Sequence, residues 1–249
     1  MSKAADKVAV ITGGSRGIGA ATALHLAETG MDVAFTYIHS AAKANRIVRR
    51  IRSGGGRAIA IRADAADPTA PAAAVDAAVE AFGRLDILVN NAGILMGRKL
   101  SDITVEQIDR ILAVNVRAAL LGAQAAAKYL GAGGRIINIG SIGARWFPQP
   151  MGTLYGMSKS ALYGLTKGLA RDLGEFGITV NMIEPGPVET DMLDADGEDG
   201  PMDVPLLPRM AVGRFGAPAE IASLVAYLSS DAAGFITGAT ITADGGLTL

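Results

Sequence analysis

Tyr155 and Lys159 stand four residues apart in the run Tyr155-Gly-Met-Ser-Lys159, so on a helix their side chains leave from one face. A tyrosine phenol has an unperturbed pKa of about 10, and a neighbouring ammonium favours the phenolate. The pair therefore describes a proton donor and acceptor brought towards the pH range in which it can exchange protons with a bound molecule. The same spacing also fits a stacked aromatic beside a solvated lysine on an amphipathic helix, so its meaning rests on the rest of the chain. Composition narrows the other chemistries. With no cysteine and only His25 and His39, disulfides, thiolate metal sites and cysteine nucleophiles are excluded, and a histidine-rich metal centre or histidine triad is disfavoured.

A second chemical signal lies near the start. An apolar strand pattern over 8–11 runs into Thr12-Gly-Gly-Ser-Arg-Gly-Ile-Gly19 and then into a helical pattern. Gly13 suits a sharp turn, Gly17 the close approach of a pyrophosphate, and Gly19 the packing of the helix near the sheet, with amides at the helix start facing the anion. Ser15, Arg16 and Ile18 fill the loop and are counted with it as cofactor-contacting residues. A glycine loop alone also connects strands to helices without any ligand; its place after the first strand is what strengthens it.

The elements that must hold these residues follow from periodicity. Strand-like runs fall at 8–11, 33–37, 58–61, 87–89, 135–139, 178–183 and 239–243, and helical patterns at 17–29, 41–53, 71–82, 105–130, 153–176 and 218–228. This alternation predicts an α/β fold, with a seven-stranded parallel doubly wound sheet covered by helices on both faces. At 249 residues the chain suits one domain over 1–249. The stretch 191–213 stands apart, with acidic residues, glycines, Pro201, Pro205 and Pro208 among Met192, Leu193, Met202, Leu206, Leu207 and Met210. It reads as a long excursion that covers a substrate, or as a surface loop.

Half the residues are hydrophobic, yet Gly, Arg and Asp interrupt every apolar run before the roughly 18 residues of a membrane helix, so a soluble protein without membrane contact is expected. Residues 1–7 lack the apolar stretch of a signal peptide, which makes the cytoplasm the expected compartment. A net charge of −1 offers no basic footprint for nucleic acid, and Arg46, Arg49, Arg50 and Arg52 read as a solvated helix face.

Taken together, Thr12–Gly19, Asn90-Asn91-Ala92-Gly93, Asn115, Ser141, Tyr155 with Lys159, and Pro185-Gly186-Pro187-Val188 with Thr190 come in the order of the short-chain dehydrogenase/reductase family, which the chain resembles over almost its whole length. The resemblance implies a Rossmann fold with three α/β/α layers. It also implies a nicotinamide cofactor with Asp64 on the adenine side, Ala65 beside it replacing the bulkier apolar residue often found there. Asn91, Ala92 and Gly93 would support the riboses, and Pro185, Gly186, Val188 and Thr190 the carboxamide. In NAD sites an acidic residue at the end of the second strand bonds the ribose 2′-hydroxyl and repels a 2′-phosphate. Here Tyr37 takes that place, nothing acidic follows before Ser40, and Arg16 can pair with phosphate, so NADP(H) is favoured over NAD(H). Ser40 is the candidate for a further phosphate hydrogen bond.

The resemblance also assigns roles. Carbonyl reduction needs a hydride on carbon, a proton on oxygen and polarisation of the developing alkoxide. Tyr155 would supply or remove the proton, Ser141 would bond the same oxygen, Lys159 would lower the Tyr155 pKa and bind the nicotinamide ribose, and Asn115 would position a water linking Lys159 to solvent. No metal is required. Trp146 and Phe147, between Ser141 and Tyr155, read either as a stacking surface for an apolar or cyclic substrate or as loop packing. The chain is also similar to 3-oxoacyl-carrier-protein reductases, most closely at 168–173 and 236–238, but the single basic residue in 128–134 weakens the expectation of an acidic protein partner. A small carbonyl substrate is at least as well supported. The small residues of 153–176 make that helix a candidate interface, and the resemblance implies a homotetramer with a second contact around 239–243 and Asp244-Gly-Gly246. The competing function is a regulator that binds NADP(H) or another nucleotide without turnover.

Overall fold

A computed structural model of the chain describes residues 7–148, 150–191 and 205–249. Seven strands, β1 (Val8–Ile11), β2 (Asp32–Tyr37), β3 (Ala58–Arg62), β4 (Ile87–Asn90), β5 (Arg135–Ile139), β6 (Thr179–Pro185) and β7 (Thr240–Ala243), form one sheet in the order β3-β2-β1-β4-β5-β6-β7. Every pairing is parallel. The helices are α1 (Gly17–Glu28), α2 (Ala41–Ser53), α3 (Ala70–Phe82), α4 (Val105–Leu112), α5 (Ala118–Ala126), α6 (Thr153–Leu173) and α7 (Pro218–Ser229).

The central strands read as unbroken apolar runs because both faces of the sheet are covered. Ala9, Ile11, Phe35, Ile87, Val89 and Ile137 pack with Leu26 of α1, Ile51 of α2 and Leu228 of α7. Their neighbours Val10, Ala34, Leu88 and Ile136 point the other way, onto Val75 of α3, Ala123 of α5 and Ala170 of α6. On α2 the buried Ala44, Ile47 and Ile51 leave Arg46, Arg49, Arg50 and Arg52 exposed, as the charge pattern predicts.

Two helical patterns resolve differently from the sequence expectation. The run 105–130 is not one helix: α4 and α5 are separated by a π-helical turn, Ala113–Arg117, which carries Asn115. Hydrophobic periodicity cannot reveal one extra residue in a turn, and such insertions recur at functional sites. The run 153–176 ends as α-helix at Leu173, continues as a 3₁₀ turn and stops at Gly177, whose φ of 73° is the left-handed conformation that glycine permits. β6 reaches Pro185, which has no N–H to contribute to the ladder and stands at the strand's last position.

Strand order reverses between β1 and β4, so a crevice opens at their carboxyl ends. Four hydrogen bonds lock it. Thr12 Oγ1 accepts from the backbone N–H groups of Asn91 and Ala92, both at 3.0 Å, and the Asn91 amide donates to the carbonyls of Thr12 at 2.9 Å and Gly13 at 3.0 Å. Behind this lock Asn90 donates to Asn138 at 2.9 Å, and Asn138 donates to Thr166 at 2.9 Å, joining β4, β5 and α6 through buried side chains.

Thr12→Val keeps the shape but leaves two amides without their acceptor; an unfolding free energy lower by about 1–3 kcal/mol is expected, with Thr12→Ser close to the parent. Urea denaturation measures both, and equal midpoints for the valine and serine variants would contradict the lock.

Candidate active site

A cavity of about 890 Å³ lies over the carboxyl ends of the strands. Its wall includes Gly13, Ser15, Arg16, Gly17, Ile18 and Gly19 from the glycine loop, Tyr37 and Ser40 after β2, and Ala65 after β3. Asn91, Ala92 and Gly93 follow β4, Ser141 follows β5, Tyr155 and Lys159 come from α6, and Pro185, Gly186, Val188 and Thr190 extend β6. Parallel strands all end on this side, which brings Gly13 and Thr190, 177 positions apart in sequence, onto one wall. Two candidates stand outside it. Asn115 is buried behind the wall, and Asp64 bonds the Ala66 N–H at 2.9 Å and faces Arg110 at 3.6 Å.

The glycine loop is shaped by close approach. Gly13 has φ 68° and Gly17 φ 52°. A Cβ on Gly19 would lie 2.3 Å from the Gly13 carbonyl oxygen and 2.5 Å from the Asn91 amide nitrogen, so no side chain fits without moving the switch-point lock. The first turn of α1 receives no side-chain cap from Arg16 and contains no acidic residue. Its amides thus offer an uncompensated positive end to an anion. Nearby, Asp191 accepts from Lys43 at 2.7 Å and lies 3.9 Å from Arg16; the Lys43 ammonium holds its carboxyl below the usual range, against the effect of burial.

Across the cavity, burial dominates. Lys159 donates to the Ile139 carbonyl at 2.9 Å, and desolvation brings its ammonium down to about 8. Burial pushes the Tyr155 phenol above its ordinary value, while a hydrogen bond with Ser141 pulls it part of the way back. The expectation that Lys159 lowers the Tyr155 pKa is therefore not met by the protein groups: the ammonium lies 5.9 Å from the ring centre and is engaged by Ile139. Ser141 also accepts from the Gly143 N–H at 3.1 Å, and a Cβ on Gly143 would sit 3.1 Å from the Tyr155 ring, so this turn lies directly against the phenol.

Asn115 uses its whole amide to fix this geometry. Oδ1 accepts from the Ile94 N–H at 2.9 Å, and Nδ2 donates to the Ile94 carbonyl at 3.0 Å and to Ser158 Oγ at 2.9 Å. Ser158 in turn donates to the Tyr155 carbonyl at 2.8 Å. Sequence reasoning passed over Ser158, Thr12, Lys43 and Arg110. Ser158 and Thr12 were legible as hydroxyls inside the two motifs, whereas Lys43 and Arg110 belong to no motif and stand on helices as ordinary basic residues.

The far end of the cavity is apolar, with Ile94, Met96, Phe147, Met151, Leu206 and Phe215 in its wall. Trp146 packs with Ile142, Met210 and Leu247, as the loop-packing reading expects, and also lines the cavity. Phe147 lies on Gly156, where a Cβ would approach its ring to 2.2 Å. Met151 holds a left-handed φ of 74°, a strained conformation at the cavity rim. Of the expected covering segment, 192–204 lie outside the described residues, and Pro205, Leu206 and Leu207 line the cavity.

A glycine loop at the switch point of a parallel sheet, facing a half-buried tyrosine and a buried lysine, defines a dinucleotide-binding oxidoreductase. Residues 13–248 match the family profile described as enoyl-(acyl carrier protein) reductase. A short-chain dehydrogenase from Burkholderia cenocepacia, solved in complex with NADP, is 48% identical with a TM-score of 0.93, covering 100% of both chains. A probable tetrahydroxynaphthalene reductase from Zymoseptoria tritici is 38% identical over 98% of this chain and 95% of its own. The cyclic-di-GMP-binding biofilm dispersal mediator protein of Escherichia coli is 41% identical over 96% of each. The chain belongs to the short-chain dehydrogenase/reductase family and is an oxidoreductase of that family.

Lysines labelled with ¹³C at Cε should show one side chain titrating near 8, against about 10.4 for solvated lysines. That resonance should vanish in Lys159→Arg; titration of every lysine near the ordinary value would show that burial does not act on Lys159 as described.

Proposed function

We propose that this protein is an NADP(H)-dependent oxidoreductase that interconverts a carbonyl and a secondary alcohol, with Tyr155 as general acid and base. One observation carries the reading: the Ser141–Tyr155–Lys159 group and the glycine loop open into the same cavity. The residues present fit the cofactor. The uncapped α1 amides suit a pyrophosphate, the Gly19 cradle admits no side chain, and β2 ends in Tyr37 with no acid to repel a 2′-phosphate. The Burkholderia relative's NADP complex supports the same choice. Arg16 and Ser40 are assigned to the phosphate, Asp64 and Ala65 to the adenine side, Asn91, Ala92 and Gly93 to the riboses, and Pro185, Gly186, Val188 and Thr190 to the carboxamide.

When bound, the nicotinamide supplies a hydride in reduction and accepts one in oxidation. Ser141 and Tyr155 orient the carbonyl oxygen by two hydrogen bonds, and Tyr155 gives it a proton, so the carbon gains a hydride, the oxygen a proton, and the product is the alcohol. Burial keeps the phenol protonated, which suits the acid role. Lys159 supplies a positive charge 5.9 Å from the centre of the Tyr155 ring and is assigned to the nicotinamide ribose, and Asn115, through Ser158, holds the turn that carries both groups and is assigned to the water between Lys159 and solvent. The apolar part of the wall favours an apolar or cyclic ketone over a sugar, and Pro205, Leu206 and Leu207 cover part of it. We also infer a cytoplasmic homotetramer of one-domain subunits. Among the described residues no helix is long and apolar enough to cross a membrane; Gly164 and Gly168 of α6 face open space, and Phe235 and Leu249 are fully exposed. The E. coli relative's name favours a second reading, a nucleotide-binding regulator, which predicts ligand binding without turnover.

NADPH oxidation with a panel of ketones, diketones and quinones tests the first reading. Turnover is expected, with kcat at least about 10²-fold lower in Tyr155→Phe; tight NADPH binding with no turnover on any substrate would favour the regulator. Arg16→Ala should raise the KM for NADPH by about 10- to 100-fold, the worth of a charged hydrogen bond, with little change for NADH; equal effects on the two cofactors would remove Arg16 from the phosphate site. Since Lys159 is a cation below its pKa of about 8 and neutral above it, reduction should be level at lower pH and fall as pH rises through that value. A rate that stays level well above it would detach Lys159 from the proton transfer.

A further inference from the structure

One buried charge has no part in the reaction as described. Glu184, the next-to-last residue of β6, is 1% exposed. Its Oε1 accepts from the Tyr163 hydroxyl, and its Oε2 accepts from Arg145 Nε and Thr242 Oγ1, both at 3.3 Å. Arg145 continues the network, donating from Nη2 to Thr242 at 3.1 Å and Thr248 at 3.2 Å. A carboxylate taken out of water is tolerated only where it is paired and hydrogen-bonded, and removal of one partner leaves it uncompensated.

Each partner belongs to a segment of the site. Arg145 closes the short turn that begins at Ser141. Tyr163 lies four and eight residues beyond Lys159 and Tyr155, on the same face of α6. Glu184 itself is joined to Pro185 and Gly186 of the cavity wall. Gly186 is held in turn by the Ala243 carbonyl at 3.0 Å, and a Cβ there would approach Asp244 Cα to 2.7 Å, so this wall cannot shift independently of β7. Proton and hydride reach one carbonyl group from different segments, and a displacement of about 1 Å between them lowers the rate roughly 10²-fold. Burial and the facing carboxylate push the Tyr163 phenol up to about 12, which keeps it a donor throughout the working range.

We propose that Glu184 is a positioning residue for the transfer reaction. It acts through Arg145 on the Ser141 turn, through Tyr163 on the face of α6 that carries Tyr155 and Lys159, and through the chain on Pro185 and Gly186. This rests on the carbonyl/alcohol reading above. Steady-state kinetics with the preferred ketone and NADPH, joined to hydrogen exchange of the folded enzyme, tests it. Glu184→Gln keeps the volume and an acceptor for Tyr163 but removes the charge facing Arg145. It should lower kcat by about 10- to 100-fold and leave the KM for NADPH within about threefold, as expected when alignment rather than binding is lost. Amides of 141–147 should exchange at least about tenfold faster while those of α1 are unchanged. Tyr163→Phe, which retains the Arg145 pair, should lose less. A wild-type-like kcat and unaltered exchange in Glu184→Gln would overturn the proposal. If the wild-type enzyme reduced no ketone, the reaction reading would fall, and with it the claim that Glu184 serves it, leaving faster exchange in 141–147 as the mark of a purely structural clamp.

Discussion

The reciprocal hydrogen bonds between Thr12 and Asn91 are the constraint on which the site depends. They join the ends of β1 and β4, where strand order reverses, and each residue completes the other's turn: the threonine hydroxyl takes two amides after β4, and the asparagine amide takes two carbonyls of the glycine loop. Engaged in this way, Asn91 shapes the glycine loop as well as forming part of the cavity wall. The same contact explains why Gly19 can carry no side chain, since the space beside it is filled by the Gly13 carbonyl and the Asn91 amide.

Opposite the lock, low solvent access governs the chemistry. Burial disfavours the charged forms of both Tyr155 and Lys159, so the phenol is kept protonated and the Lys159 pKa is brought down to about 8. Two polar networks hold these groups without entering the reaction. Asn115 and Ser158 fix the first turns of α6 to the π-helical turn, and Glu184 ties the middle of α6 to the Ser141 turn and β7. Satisfied polar networks of this kind specify one arrangement of their segments, because each alternative leaves a buried group unpaired.

Much of this was legible in the residues. Alternation of apolar strands with helical patterns is imposed by a covered parallel sheet, and all seven strands lie where that pattern puts them, with ends displaced by one or two residues. The glycine loop and the Tyr155–Lys159 pair were legible as motifs because each is defined by its spacing, and the fold brings both to one cavity. Less visible were properties set by three-dimensional neighbours. Lys159 reads as a cation beside a phenol, but only the fold shows that Ile139 engages it and that burial, opposed by Ser141, sets the direction in which the Tyr155 phenol shifts. The π-helical turn at Asn115 leaves the apolar pattern of its helices intact, and Glu184 looks like an ordinary strand residue until Arg145 and Tyr163 arrive from elsewhere in the chain.

The proposed chemistry centres on one atom, the oxygen of the bound carbonyl or alcohol, which must meet Ser141 and Tyr155 together in the cavity shared with the glycine loop. A crystal structure of the protein with NADP⁺ and an alcohol product of its own turnover locates that atom. The account predicts an oxygen within about 3 Å of both the Ser141 and Tyr155 hydroxyls, with the pyrophosphate on the first turn of α1. An alcohol bound elsewhere in the cavity, or a dinucleotide that leaves α1 uncontacted, would contradict it.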